Sequence, residues 1–229
     1  MHRMKKLILL LLAAPLLVWS CSKGYDSYPD YASNAQDDVY GKPVEVVVTV
    51  KRAADGTVYF LNGLQQLLYP VAGYPYTEEC RAMGLVTIYQ DVVAPYGHKT
   101  EVHWMEPLDR GDAPSEAQAV SAFEDGIDII TGSWITGIAD GYLTLHYKAW
   151  WGSPAKHHDI CLEFGPDGDM YLIHNANGDG KAEYSDGIIY FDINGVVSSR
   201  ETPPQTLTLH WLSTDGQAVC TELEFDSRK

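Results

Sequence analysis

Along most of the chain, apolar residues alternate with polar ones at a spacing of two, not the three-to-four spacing of a helix. In V-E-V-V-V-T-V-K, Val44, Val46, Val48 and Val50 share one face, and Asp55-Gly56 then turns the chain into T-V-Y-F-L, a hairpin signal. A short strand follows over residues 67–71. Beyond a Pro- and Tyr-rich excursion come L-V-T-I-Y-Q-D-V-V, a P-Y-G-H-K turn, and T-E-V-H-W-M-E-P-L. About five strands within residues 41–108 suit a small closed barrel. Alternation resumes after residue 126 in I-D-I-I-T-G-S-W-I, Y-L-T-L-H-Y-K-A-W-W, H-D-I-C-L-E-F, M-Y-L-I-H, G-I-I-Y-F-D-I, T-L-T-L-H-W-L and A-V-C-T-E-L-E-F. The last two are joined by Ser213-Thr214-Asp215-Gly216, a second hairpin turn. So many short strands at short intervals predict an antiparallel β-sandwich over residues 127–229. Residues 109–126 read as an interdomain linker, with Ser115 placed to start a short helix. The expected fold class is all-β, a barrel followed by a sandwich.

The first forty residues change the picture from fold to location. Arg3, Lys5 and Lys6 precede an apolar run that ends at Val18-Trp19-Ser20-Cys21. This is the pattern of a secretory signal over residues 1–20, and the run is short for a membrane span. The small residue before cysteine resembles a bacterial lipobox, which makes Cys21 the expected lipid-attachment residue and the membrane a partner through its acyl chains. Residues 21–40, polar and rich in Ser, Asp and Tyr, read as a flexible tether. The chain is acidic, with a formal charge of −15. Losing the signal, with its three basic residues, makes it more acidic still, which argues against nucleic acid as a partner. These features place the protein in the cell envelope, at the outer membrane. The acids at Asp26 and Asp30 give only a weak signal for display on the cell surface.

Candidate chemistry is sparse. Nothing matches a G-x-S-x-G elbow, H-E-x-x-H, a phosphate-binding loop or a dinucleotide glycine motif, and no spacing marks a carboxylate pair for glycoside hydrolysis. No enzyme activity and no cofactor are therefore expected. In H-N-A-N-G-D-G-K-A-E-Y-S-D, Asn175, Asn177, Asp179, Glu183 and Asp186 approach the spacing of a calcium loop. The flanks are strands, however, position 1 is Asn175 and position 12 is the short Asp186. A twelve-residue hairpin connection, in which Asn and Gly accept positive φ, is the favoured reading. His146, His157, His158 and His174 could gather around a transition metal, but adjacent histidines on a strand face opposite ways, and surface histidines explain them more simply. Alternation puts Cys161 and Cys220 on polar faces, where a cross-strand disulfide needs neighbouring strands. Trp150 and Trp151 end one predicted strand, so one should face the core and the other solvent. With Tyr69, Tyr74 and Tyr76 in the barrel's Pro-rich excursion they form the candidate recognition surface, since large aromatics anchor interfaces.

Several segments together resemble the NigD-like lipoproteins of Bacteroidetes-type bacteria. In the second half these are G-S-W-I-T-G-I-A-D-G-Y-L-T-L, H-D-I-C-L-E-F and L-I-H-N-A-N-G-D leading into G-I-I-Y-F-D-I. In the first half they are L-L-Y-P-V, G-L-V-T-I-Y and E-V-H-W-M-E-P-L. The resemblance implies an N-terminal OB-like barrel and a C-terminal β-sandwich. For function it implies a suggested immunity-type role against a bacteriocin-like toxin. The expectation is thus a non-catalytic, lipid-anchored envelope protein that binds another macromolecule. The alternative is a glycan-binding accessory lipoprotein or glycan-active enzyme.

Overall fold

A computed structural model describes residues 39–72, 78–93, 97–199 and 204–228. The signal, Cys21 and nearly all of the tether lie outside them, as do Tyr74 and Tyr76.

Five strands close the barrel: β1 (Pro43–Arg52), β2 (Val58–Asn62), β3 (Leu67–Pro70), β4 (Cys80–Val93) and β5 (Gly97–Pro107). Their order around it is β1-β2-β3-β5-β4, with β4 paired back to β1 and β3 parallel to β5. This is the OB-like connectivity. The valines at 46, 48 and 50 point inward as the alternation requires, packing with Phe60, Leu68, Ala82, Val86, Ile88 and Met105. His98 and Lys99 belong to β5 and not to a turn.

The second half folds into two facing sheets. One contains β6 (Asp109–Arg110), β12 (Glu183–Asp192), β9 (Tyr142–Trp151) and β7 (Asp128–Ile129) in that order, with β8 (Gly137–Ala139) also paired to β9. The other runs β10 (Asp159–Phe164), β11 (Met170–Asn175), β13 (Thr206–Leu212), β14 (Ala218–Glu224). Between them lies the larger core, built from the inward set Leu143, Leu145, Tyr147 and Ala149 of β9 and its counterparts Leu162, Phe164, Leu172, Leu209 and Trp211. A short helix, α1 (Asn194–Ser198), adds Val196 and Val197. Most pairings are antiparallel, but β11 with β13 and β6 with β12 are parallel.

Three expectations need correction. The expected strand from Ile127 to Ile135 stops at Ile129, after which Ser133 N–H bonds Ile130 O and the chain turns. No helix starts at Ser115. The stretch 109–126 is instead woven into the sandwich: β6 extends one sheet, Leu162 N–H bonds Asp112 O at the edge of β10, and Ser121 donates to Glu163. Lastly, β11 and β12 are not a hairpin. They lie in different sheets, and residues 176–182 carry the chain across the gap between them.

The barrel meets the sandwich through buried polar groups. Asp140 and Gly141, both at positive φ (+53° and +73°), turn β8 into β9. Asp140, 1% exposed, projects from that turn to the ammonium of Lys51 on β1 at 2.9 Å. Beside it Arg81 of β4 donates to Thr49 within the barrel and to Thr144 of β9. Burial lowers the Arg81 pKa to about 10. The C-terminal residues cross the same seam. Gln65 bonds Asp226, and Arg228 pairs with Glu79 and Asp192 while lying over the Tyr142 ring.

Candidate functional site

Because β9 and β12 pair in register, their outward residues form ladders: Tyr184 opposite Trp150, Asp186 opposite Lys148, Ile188 opposite His146. The barrel covers the far end of this face, where Tyr142 donates to Glu79. The near end is open. There the Trp150 and Tyr184 rings lie 5.1 Å apart at a 40° tilt, with the Lys148 ammonium 5.8 Å from the Tyr184 centroid. The Tyr184 hydroxyl reaches across β9 to the Asp128 carboxylate, which Thr214 also bonds. Burial would raise the Asp128 pKa, but the bonds from Thr214 and Tyr184 outweigh it and the net shift is downward. Trp134, 49% exposed, follows Ser133, whose hydroxyl bonds His146 on this face. The Trp150–Tyr184 pair is therefore held by paired strands and by the bond from Tyr184 to Asp128.

On the same face Ser133 Oγ stands 2.9 Å from His146 Nδ1, and His146 Nε2 3.1 Å from Asp186. Serine, histidine and aspartate in series suggest hydrolytic chemistry. Here, though, the Asp186 side chain is 61% exposed, so solvent screens its hold on the ring. The N–H of Ile135 bonds the Ser133 hydroxyl itself and is not free for an oxyanion. The hydrogen bond from His146 lowers the Asp186 pKa. The set secures the Ser133–Thr136 turn against β9.

The other tryptophan of the pair turns inward. Trp151 packs on the sandwich core and stacks on His158, with centroids 4.2 Å apart. His158 Nε2 lies 3.2 Å from Asp179 Oδ2, His158 Nδ1 lies 3.0 Å from His174 Nε2, and His174 Nδ1 lies 3.1 Å from Gly126 O. Both rings are buried, and burial lowers the His174 pKa. Asp179 also accepts from the N–H groups of Gly152 and Ser153. With Gly152 the foremost cause, these bonds bring its pKa down to about 2. The connection 176–182 is thereby latched to the loop after β9. Asn177 and Gly178, at φ +52° and +67°, make the tight turn that begins it.

The five oxygen-bearing residues of the suspected calcium loop have other employment. Asn175 accepts from Asn177 N–H, Asn177 bonds His157 O and Asp159, Asp179 bonds the latch, Glu183 opens β12 and Asp186 pairs with His146. Among the described residues no group of three or more His, Cys, Asp or Glu is placed to hold a metal ion. His157 is exposed and His158 buried, but both precede β10, so the loop and not strand alternation sets them apart. Cys161 is a free thiol, so no bond joins it to Cys220, and β10 and β14 have two strands between them. Cys220 is also buried, not surface-facing as alternation suggested. In the barrel, Tyr69 lies 6.0 Å from Tyr59, ring to ring, well away from Trp150 in the chain. Sequence reasoning did not nominate Trp134, Tyr184 or Asp128, and it grouped His158 with His174 only as possible metal ligands, without Asp179. The available signals were the alternation that sets Tyr184 outward and the H-N-A-N-G-D segment itself.

No curated protein matches the chain. Solved structures do. A protein of Parabacteroides distasonis described as toxin-related aligns with a TM-score of 0.63 at 20% identity, over 81% of this chain and 94% of its own. One of Bacteroides fragilis described as a lipoprotein gives 0.59 at 15%, over 82% and 100%. A NigD-like immunity protein of Bacteroides caccae gives 0.53 at 16%, over 80% and 93%. Likeness at such identities speaks to the fold, which all three share with both halves of this chain. Residues 113–225 match the NigD-like C-terminal beta sandwich domain. That domain places the second half of the chain with the NigD-like proteins: β7 to β14 and the His174–Asp179 latch fall within the matched residues, and β6 precedes them.

Proposed function

We propose that this protein is anchored in the cell envelope through Cys21 and acts there, without catalysis, by binding another macromolecule. In the specific form of this reading the partner is a protein toxin that it neutralises. The observation that carries it is the open end of the β9–β12 face. Trp150 and Tyr184 stand on paired strands, ringed by Lys148, Asp186 and Asp128, and the exposed Trp134 sits in the turn whose Ser133 bonds His146 of the same face. Rigid aromatics within a polar rim are the usual anchors of a protein interface. Support for envelope placement comes from the basic, apolar and Cys21-terminated start of the chain and from the B. fragilis neighbour described as a lipoprotein. No described helix is long and apolar enough to cross a membrane, which says nothing of strands. The immunity role is supported by the B. caccae neighbour's description. The acidic chain suits a cationic partner, since complementary charge speeds encounter.

The test is in-cell crosslinking of the tagged full-length protein and of a W150A/Y184A variant, with the attached material identified by mass spectrometry. A protein enriched on the wild type and reduced about tenfold or more on the variant is expected, because anchors of this kind contribute about 2 kcal/mol or more. A protein captured equally by both would remove the face from the account. Capture of glycan in place of protein would favour the accessory glycan-binding reading.

A further inference from the structure

The hydrogen-bond chain through the latch has an acceptor at each end. At one end is the carboxylate of Asp179, at the other the carbonyl of Gly126. Between them stand two imidazoles and three short contacts, 3.2, 3.0 and 3.1 Å. The two outer contacts each need a ring N–H, on His158 Nε2 and on His174 Nδ1. Two neutral imidazoles carry one N–H apiece, and both are then used. Nothing is left for the inner contact, where Nδ1 of His158 would face Nε2 of His174, lone pair to lone pair. Exchanging tautomers only moves the defect to one end, because a carbonyl and a carboxylate cannot donate. A third ring proton completes all three bonds.

We infer that at neutral pH His158 and His174 together hold three ring protons, one more than two neutral imidazoles, as a shared imidazolium paired with Asp179. The pair thus forms a proton-dependent latch between the loop after β9 and the connection into β12. The groups facing it favour a cation. Asp179 approaches from the connection 176–182, and Asp125 from the woven segment, where it accepts from Ala176 N–H. From the loop after β9 come Lys156, turned away to Asn177 O, and His157, paired with Asp159 on the exposed side. β9 contributes the uncharged Trp151 ring. Burial opposes the extra proton, but both rings are sealed from water that could satisfy a broken link, and a buried polar group left without a partner is costly.

The two readings predict opposite signs. A native state that holds the extra proton binds more protons than the unfolded chain, so the latch's contribution to stability is lost as pH rises through the shared titration. Burial acting alone would depress the native affinity for protons, and the contribution would be lost as pH falls. The latch also sets the approach of β12 to the end of β9, where Ala182 N–H bonds Trp151 O, one residue from Trp150. The inference does not depend on the proposed function.

The experiment is one-bond 15N–1H correlation spectroscopy on the full-length protein with 15N-labelled histidine, the pair being assigned by its contact with the Trp151 indole. Three ring N–H groups on the two residues at neutral pH are expected, with one proton lost from both rings in a single shared step as pH rises. Two N–H groups, or two independent steps, would overturn the inference. In Asp179→Asn the charge that holds the proton is gone, and the count should fall to two. A count of three in that variant would also overturn it. If the variant does not fold, the wild-type count decides alone.

Discussion

Lys51 and Asp140 show how a single residue acquires a role that its own strand does not reveal. The alternation of β1 turns Lys51 away from the barrel interior, toward what would be solvent in an isolated barrel. The turn between β8 and β9 lands on that spot, and the lysine ends 6% exposed. Replacing Lys51 by Met leaves the Asp140 carboxylate in place without its ammonium, and unfolding in urea should show a loss of about 3–5 kcal/mol. Adding Asp140→Leu should recover most of it, since the carboxylate is then gone as well. Asp179 makes a second residue-scale case. Its native pKa of about 2 lies below the unfolded value of about 3.9, so its contribution is full above the unfolded value and is lost as pH falls toward about 2. Acid titration of Asp179→Asn should show a flatter stability curve between these limits. A curve parallel to wild type would mean that the latch does not matter to stability.

At the scale of elements, alternation was a good guide until the strands bent. In E-V-H-W-M-E-P-L a strict period of two puts Val102 and Trp104 on one face. The register against β4 slips between Leu85 and Val86, where two residues of β5 answer one of β4. Val102 and Met105 consequently face the core, and Trp104 is left 42% exposed. A bulge of this kind has no local signature in the sequence. The connection 176–182 was legible as a turn from its Asn-Gly pair, but which sheet received the next strand depends on long-range pairing with β9. Its close approach to Gly152 is testable. A Cβ at position 152 would overlap the backbone of Gly180, which cannot move like a side chain. Gly152→Ala should lower stability by about 1–3 kcal/mol in thermal or urea melts. Gly180→Ala, with open space around it, should cost much less. Equal losses would contradict the close packing of these loops.

For the whole molecule, sequence patterning conveyed the succession of barrel and sandwich, because each half has its own alternating strands and its own core. What it missed was the junction. A stretch rich in Pro, Asp, Ala and Ser looked like a linker because its residues satisfy their hydrogen bonds with two different sheets and not with one another. The proposed recognition face was half legible: Trp150 and Trp151 announced a division between outside and inside, but Tyr184 and Trp134 arrive from distant segments. The barrel tyrosines do not join that face through any contact among the described residues. The central claim is that a macromolecule docks on the open end of the β9–β12 sheet. The most direct measurement places a photo-crosslinking amino acid at position 184 in living cells, with the same group at Asp55, in the turn between β1 and β2, as the control. A single discrete protein adduct at 184, and none at 55, is the predicted result. No adduct at 184, or the same adduct at both positions, would contradict the account.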